Sequence, residues 1–422
     1  MKHILLILSG ILGIVSGLAA AVFGPPEIVS IRKDPELFPR LVDMKLDLLM
    51  EKEGRVYIVA GSEDLVRLAE AGISYTIETA HFPAAFPTLQ ELSGGINGPF
   101  HSYVELERDL LALADAHPEI AQVIDIGDSL EGRNLYALKI SDNVWADEGE
   151  PGVLILGCHH AREWISVEVP YLLGKYLAEN YASSAEIQRL VDSSEVWIVP
   201  LVNPDGLEYS IHFYRYWRKN RRDNGDGTFG VDLNRNYGYQ WGWDNRGSSP
   251  EPSSEVYRGK APFSEPETQA LRDVFLGRRF QALVSYHSYS QVILYPWGYT
   301  IAPSEKDALL LEIADEMAAR MASVNGRYYE PGRAGASFYL TNGDTTDWSF
   351  GTYGIPSYTI ELPPDSRLRG EFFNSDRDIQ PLFEENLPAM LYLIDWAVAH
   401  YEGQKKAPAR EKTLPESELR LK

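Results

Sequence analysis

Two periodicities alternate along most of this chain. Apolar runs at 153–157 and 196–202 carry no polar interruption, as strands buried on both faces should. Shorter strand-like runs stand at 123–126, 135–140, 282–286 and 358–362. Between them lie stretches with apolar residues at helical spacing, of which 103–117 and 306–324 are the clearest. From about residue 100 onward the pattern predicts a single large α/β/α domain, with a mixed, mostly parallel central sheet covered on both faces. No internal repeat is visible.

The first hundred residues read differently. Lys2 and His3 precede an apolar run at 4–15, and Leu18, Ala19, Ala20 and Ala21 offer small residues for cleavage. Residues 1–21 therefore predict an export signal. The run is short and interrupted by Gly10, Gly13 and Gly17, which disfavours a retained anchor, and no other stretch has the ~20 apolar residues of a membrane span. Residues 22–95 predict a small α+β unit and linker. Strands are expected at 29–31, 55–59 and 74–77, with a helix capped at 62–64 that turns Leu65, Leu68 and Ala71 to one side. The stretch 81–99, rich in Pro, Phe and Gly, reads as the linker. The unit is either a permanent accessory domain or a propeptide. The large domain is expected over 96–402, and the charged segment 403–422 as a disordered tail.

Composition removes several classes of function. The 422 residues suffice for a sizeable core without metal or disulfides, and the lone cysteine, Cys158, excludes an intramolecular disulfide. The net charge of −22 argues against nucleic acid, which demands basic patches. A monomer, exported to a periplasm or to the medium, is the expectation.

The chemistry begins after the run at 153–157. His160 and Glu163 stand three residues apart, which puts both on one face of a starting helix. His287, in Ser-Tyr-His-Ser-Tyr at 285–289, is placed to be a third ligand. Two histidines and one glutamate with an open fourth position are the ligand set of a catalytic zinc rather than a structural one. Glu361 ends an apolar strand, a costly place for a free carboxylate unless it turns to solvent or serves as a base beside the metal. A basic run at 216–222 and the cluster at 231–236 supply Arg218, Asn234 and Arg235, able to hold an anionic group and a developing oxyanion. His159 reads as a packing or hydrogen-bonding histidine, Cys158 as a small buried hydrophobe. The acidic segment 223–227 faintly resembles a calcium loop, but it lacks the glutamate an EF-hand requires, so a polar turn is the default and Ca2+ is weakly supported.

These motifs together resemble the zinc metallocarboxypeptidases of the carboxypeptidase A type, over roughly residues 100–400. The resemblance rests on His-Ala-Arg-Glu-Trp at 160–164, Trp-Arg-Lys at 217–219 and Asp-Leu-Asn-Arg-Asn at 232–236. It continues through His-Ser-Tyr-Ser-Gln at 287–291, Asp-Trp at 347–348 and Glu361. It implies one Zn2+ per chain, held by His160, Glu163 and His287, with Glu361 as general base and Arg218 stabilising the oxyanion. Asn234 and Arg235 would clamp the substrate's terminal carboxylate, Tyr339 would close over it, and Arg162, Ser288 and Tyr289 would line neighbouring subsites. Asp232 would orient the first histidine.

The resemblance also implies peptide or protein C-termini as substrates. Thr346 and Asp344 fall at pocket positions, with Ala334 further up the wall, and the combination is similar to the bacterial carboxypeptidase T subgroup. That implies a pocket for apolar side chains in which Asp344 pairs Lys or Arg, unless Asp344 only shapes its loop. Two rival functions remain: a peptidase of the same fold that trims cell-wall peptides, and a catalytically silent peptide-binding protein.

Overall fold

The computed structural model describes residues 27–32, 37, 44, 47–52, 55–60, 62–77, 97–146, 148–365 and 371–405. The expected export signal, most of the linker and the segment after 405 lie outside these residues. Two compact units divide the chain, one built on 1–92 with 366–371, the other on 93–365 and 372–422.

The smaller unit pairs β1 (Glu27–Arg32), β2 (Asp47–Lys52), β3 (Arg55–Ala60) and β4 (Thr76–Ile77) in the order β2-β3-β1-β4, wholly antiparallel. The helix α1 (Ser62–Glu70) follows β3. Val29, Ile31, Ile58, Leu65, Leu68 and Ile73 form its core. β2 has no clear alternation in sequence and was not foreseen, and the expected strand at 74–77 shrinks to two residues.

In the larger unit, α2 (Tyr103–Ala116) begins with a reciprocal cap. The Ser102 hydroxyl accepts from the Glu105 amide, while the Glu105 carboxylate accepts from the Ser102 amide. β5 (Ala121–Asp128), β6 (Asn134–Ile140), β7 (Gly152–Gly157) and α3 (Ile165–Asn180) follow. Next come α4 (Ala185–Val191), β8 (Glu195–Val199), α5 (Pro204–His212) and α6 (Pro266–Val274). The chain completes with β9 (Phe280–Ser288), β10 (Val292–Tyr295), α7 (Asp307–Asn325), β11 (Glu330–Arg333), α8 (Thr345–Tyr353), β12 (Ser357–Leu362) and α9 (Asp376–Lys405).

The eight-stranded sheet runs β11-β10-β12-β9-β7-β8-β6-β5. Its centre, β12-β9-β7-β8, is parallel, and antiparallel pairs flank it. Strand alternation sorts the two faces. Leu138 and Ile198 meet α3 at Gly174, where a Cβ would lie 2.5 Å from Leu138 Cδ2. Their neighbours Ala137, Trp197 and Val199 turn the other way, into a core with Leu154, Leu283, Leu271, Val274 and Trp348. Fully burying each such side chain is worth about 1.5–3 kcal/mol. No helix among the described residues is long and apolar enough to cross a membrane.

α9 reaches Lys405, three residues into the segment expected to be tail. Gly403 does not end it, because one glycine in a long helix costs only about 1 kcal/mol against alanine.

The parallel centre puts the C-terminal ends of β7, β9 and β12 side by side, and the packing there is close. A Cβ on Gly157 would sit 2.1 Å from the Ser166 carbonyl oxygen and 2.6 Å from that of Pro200, both backbone atoms. Gly157→Ala is therefore expected to lower unfolding free energy by about 3 kcal/mol, read as a shift of the urea midpoint. A shift worth less than about 1 kcal/mol would show that this junction yields.

Candidate active site

After Gly157 the chain leaves β7 through Cys158, which is buried and has φ of 53°. Burial pushes its thiol well above the usual range, so it stays protonated. Here the structure corrects one sequence expectation. His160 and Glu163 are not on a helix, because α3 starts only at Ile165. They form a turn closed by the Glu163 amide donating to the His160 carbonyl (3.1 Å), while the Ala161 amide donates to the Arg218 carbonyl (2.9 Å). That second bond ties the turn to another segment and holds it out of the helical path. The i, i+3 spacing still brings both side chains together, by a turn rather than a helix face.

His287 comes from the buried end of β9. Its Nδ1 lies 3.1 Å from His160 Nδ1 and 2.9 Å from Glu163 Oε2, and Glu163 Oε1 is 2.7 Å from His160 Nδ1. All three residues are buried and offer ligand atoms within 4.8 Å of one another. The outer nitrogens explain what this arrangement is for. His160 Nε2 faces the Asp232 carboxylate (3.2 Å), an acceptor, so the proton sits on Nε2 and Nδ1 presents a lone pair. Lone pairs of His160 and Glu163, and of His287 when its proton is on Nε2, thus converge in a dry site, an arrangement that a cation among them would satisfy. The donor set suits zinc. Burial, reinforced by Arg218, lowers the His160 imidazole to about 4 and the His287 imidazole to about 3, so both stay neutral and ready to ligate.

Asp232 is fully buried at the N-cap of a single 3₁₀ turn, Leu233–Arg235. Its Oδ2 accepts from Arg218 Nε (3.1 Å) and Nη2 (2.8 Å), and its Oδ1 from the Asn234 amide (3.0 Å). Burial alone would raise this carboxyl, but Arg218, Arg235 and His160 outweigh it and hold it well below the usual range. Arg235 is 1% exposed, with Nε donating to the Gly247 carbonyl (3.0 Å) and Nη1 to that of Asn234 (2.6 Å). Tyr339, 45% exposed, has its ring centroid 5.8 Å from the Arg235 guanidinium.

Glu361 is the in-register neighbour of His287 across the parallel β12–β9 pair, so both side chains leave the same face of the sheet. Burial, and then the Glu163 carboxylate, push it well above the usual carboxylate range, against the pull of Arg218 and Arg235. A bound cation would pull it down again.

Asp344 and Thr346 lie at the N-terminus of α8. Asp344 caps it: Oδ1 accepts from the Asp347 amide and the Thr346 hydroxyl (both 2.8 Å), and Oδ2 from the Thr341 hydroxyl (2.6 Å). Ala334 opens the short Ala334–Phe338 turn that leads to Tyr339. On the other side Ser288 is buried, its amide donating to Glu163 Oε2 (3.3 Å). Arg162 stacks on Phe372 (4.2 Å), and the Tyr289 ring meets Phe372 at 5.0 Å.

Phe372 was missed in the sequence, where nothing marks it, since only tertiary packing sets it beside Arg162. Ser285 was also missed, although it lies two residues before His287 and so on the same face of β9. His159, expected to pack or to hydrogen-bond, has three polar partners, Ser285, Tyr237 and Thr345. The 223–227 segment is a turn whose acidic oxygens accept local donors, Asp223 from the Gly225 amide and Asp226 from Thr228. Among the described residues it does not join a group of three histidine or acidic ligands.

The depressed histidines have a consequence for metal-free protein. Between the unfolded value of about 6.5 and the folded value of about 4, the unfolded chain takes up a proton that His160 refuses, so stability falls as pH drops through that window. Glu361, shifted upward, offsets part of this. The test is therefore a difference: from pH 7 to 5, zinc-free wild type should lose roughly 2 kcal/mol more than zinc-free His160→Asn in urea unfolding. Equal losses would refute the neutral, buried histidine.

Comparison with known proteins agrees with this geometry. The chain is 36% identical over 318 residues to a zinc carboxypeptidase of Saccharothrix mutabilis subsp. capreolus, covering 73% of this chain and 71% of that protein. It is 33% identical over 310 residues to carboxypeptidase A1 of Rattus norvegicus, with 71% of each covered. The crystal structure of thrombin activatable fibrinolysis inhibitor superposes with a TM-score of 0.72 at 25% identity, over 89% of this chain and 99% of that one. Residues 106–389, which contain the converging His160, Glu163 and His287, match the zinc carboxypeptidase family, peptidase M14, and the chain belongs to that family.

Proposed function

We propose that this zinc carboxypeptidase is exported, removes single L-residues from peptide C-termini, and accepts both apolar and basic side chains, as the bacterial carboxypeptidase T subgroup would. The observation that carries the reading is Glu361 beside His287 on one sheet face, with Arg235 and Asn234 held on the neighbouring turn. Zinc, when bound by His160, Glu163 and His287, supplies a Lewis acid and lowers the pKa of a water to about 7. Glu361 takes the proton of the attacking water and returns it to the leaving amine, a role that its place beside His287 on the same sheet face allows. Arg218, its Nε and Nη2 fixed on Asp232, presents its remaining edge to the oxyanion. Arg235, steadied by two backbone carbonyls, binds the terminal carboxylate together with Asn234, so only the last peptide bond reaches Glu361. Tyr339 closes over that carboxylate, and Arg162, Ser288, Tyr289 and Phe372 hold the preceding residues.

Asp344 gives the pocket its charge. Burial, and then the Asp344 carboxylate, push its neighbour Asp347 well above the usual range. The N-terminal unit is read as a propeptide. The likeness to the thrombin activatable protein, over 89% of this chain, is too long for the larger unit alone and supports that reading.

Blocked dipeptides ending in Phe, Leu, Arg, Lys or Glu, with and without chelator, test the activity. Comparing the full chain with a form starting near residue 95 tests latency, and peptides ending in D-residues test the cell-wall alternative. Glu361→Gln should lower kcat about 10²- to 10⁴-fold with zinc content unchanged. Asp344→Asn keeps a good helix cap, so it should leave stability intact and raise KM for C-terminal Arg and Lys by about tenfold, with Phe little affected. Equal loss on Phe and Arg would remove Asp344 from specificity.

A further inference from the structure

A closed ring of buried polar groups stands behind the metal ligands. Ser285 Oγ lies 3.0 Å from His287 Nε2 and 3.1 Å from His159 Nδ1. His159 Nε2 lies 2.8 Å from Tyr237 Oη and 3.0 Å from Thr345 Oγ1. The Thr345 hydroxyl and amide donate to Asn234 Oδ1 at 3.0 and 2.9 Å. Asn234 Nδ2 returns to within 3.4 Å of His287 Nε2. The rings of His159 and His287 stack, 12° from parallel with centroids 5.5 Å apart. Every member is buried, and His159, Ser285 and Tyr237 are hidden completely or nearly so.

We infer that His159 is a positioning residue that couples the metal ligand His287 to the clamp amide Asn234 through a hydrogen-bond chain whose direction is fixed when the metal is bound. A neutral imidazole has one donor nitrogen and one acceptor, and a hydroxyl has one proton to give. With the metal on His287 Nδ1, the His287 proton is on Nε2 and is donated to Ser285 Oγ. The Ser285 proton must then go to His159 Nδ1, so His159 carries its proton on Nε2 and donates it toward Tyr237 and Thr345. Thr345 is left with its own proton for Asn234 Oδ1. That bond, with the Thr345 amide on the same oxygen, fixes the Asn234 amide with its NH₂ turned toward the site. In the metal-free protein, a His287 proton on Nδ1 can face Glu163 Oε2, and the chain can run backwards. Ser285 then donates to His287, His159 donates from Nδ1, and Thr345 or Tyr237 donates to His159 Nε2. Metal binding thus removes the direction in which the Thr345 hydroxyl can turn from Asn234 to His159.

The inference rests on reading Asn234 as part of the carboxylate clamp, and the test keeps the two apart. An asparagine amide reproduces the Nδ1 position of histidine, and a glutamine amide reproduces Nε2. In His159→Leu both links are cut. Zinc release to a chromogenic chelator should quicken by about 10- to 100-fold, and KM for a blocked dipeptide should rise about three- to tenfold. In His159→Asn zinc release should stay near wild type while KM rises. In His159→Gln zinc release should quicken while KM stays near wild type. Ser285→Ala should match the glutamine variant. Thermal unfolding of each variant separates this pattern from general loosening. If the Asn and Gln variants fail to separate in this sense, or if His159→Leu leaves both readouts within twofold, the assignment is wrong. If the wild type hydrolyses no blocked dipeptide, the clamp reading fails, and zinc release alone decides the link from His159 to His287.

Discussion

The buried carboxylate of Asp232 is the constraint on which the site depends. Its two oxygens bind the Arg218 guanidinium, the outer nitrogen of His160 and the Asn234 amide. One side chain therefore fixes the tautomer of a metal ligand, the orientation of the oxyanion arginine and the start of the clamp turn. An ionised carboxylate without partners would be costly in such a place, and removing one member of a buried pair costs about 3–5 kcal/mol. The charges stay because each neutralises another: two arginines, with a hydrogen bond from the neutral His160, hold Asp232 ionised against burial.

The sheet supplies the second constraint. Parallel pairing of β12 with β9 makes Glu361 and His287 neighbours, and pairing of β9 with β7 brings the 160–163 turn to the same edge. Reacting groups on rigid strand ends are held more closely than loops could hold them. The side chains that choose the substrate come instead from the turns and the helix end around Arg235, Tyr339 and Asp344. Asp344 can vary without touching the metal ligands, because its oxygens bind its own helix and loop.

Behind both constraints lies a polar layer that the catalytic residues alone do not suggest. Ser285, His159, Thr345 and Asn234 link β9, the residues after β7, α8 and the clamp turn through hydroxyls and amides. In this layer a substitution changes the direction of hydrogen bonds before it changes packing. The metal half and the substrate half of the site therefore need not vary independently.

The sequence by itself determined the identity of the reacting groups and the strands that carry them. His160, Glu163, His287 and Glu361 follow apolar runs too hydrophobic to be anything but buried strands, and polar residues at such ends stand out against them. It also carried the apolar faces of α1, α2 and α7, since 3.6-residue periodicity is a local property. It misjudged the backbone between His160 and Glu163, because an i, i+3 pair reads alike in a turn and in a helix. Only the bond from Ala161 to the Arg218 carbonyl, 57 residues away in sequence, decides between them. β2, β10 and β11 were invisible for a related reason: strands of four to six residues gain their stability from partners rather than from their own pattern. The partners of His159 and the place of Phe372 beside Arg162 are likewise decisions of the tertiary structure. Each is a contact between segments far apart in the chain, and no local spacing encodes which oxygen a buried nitrogen will face.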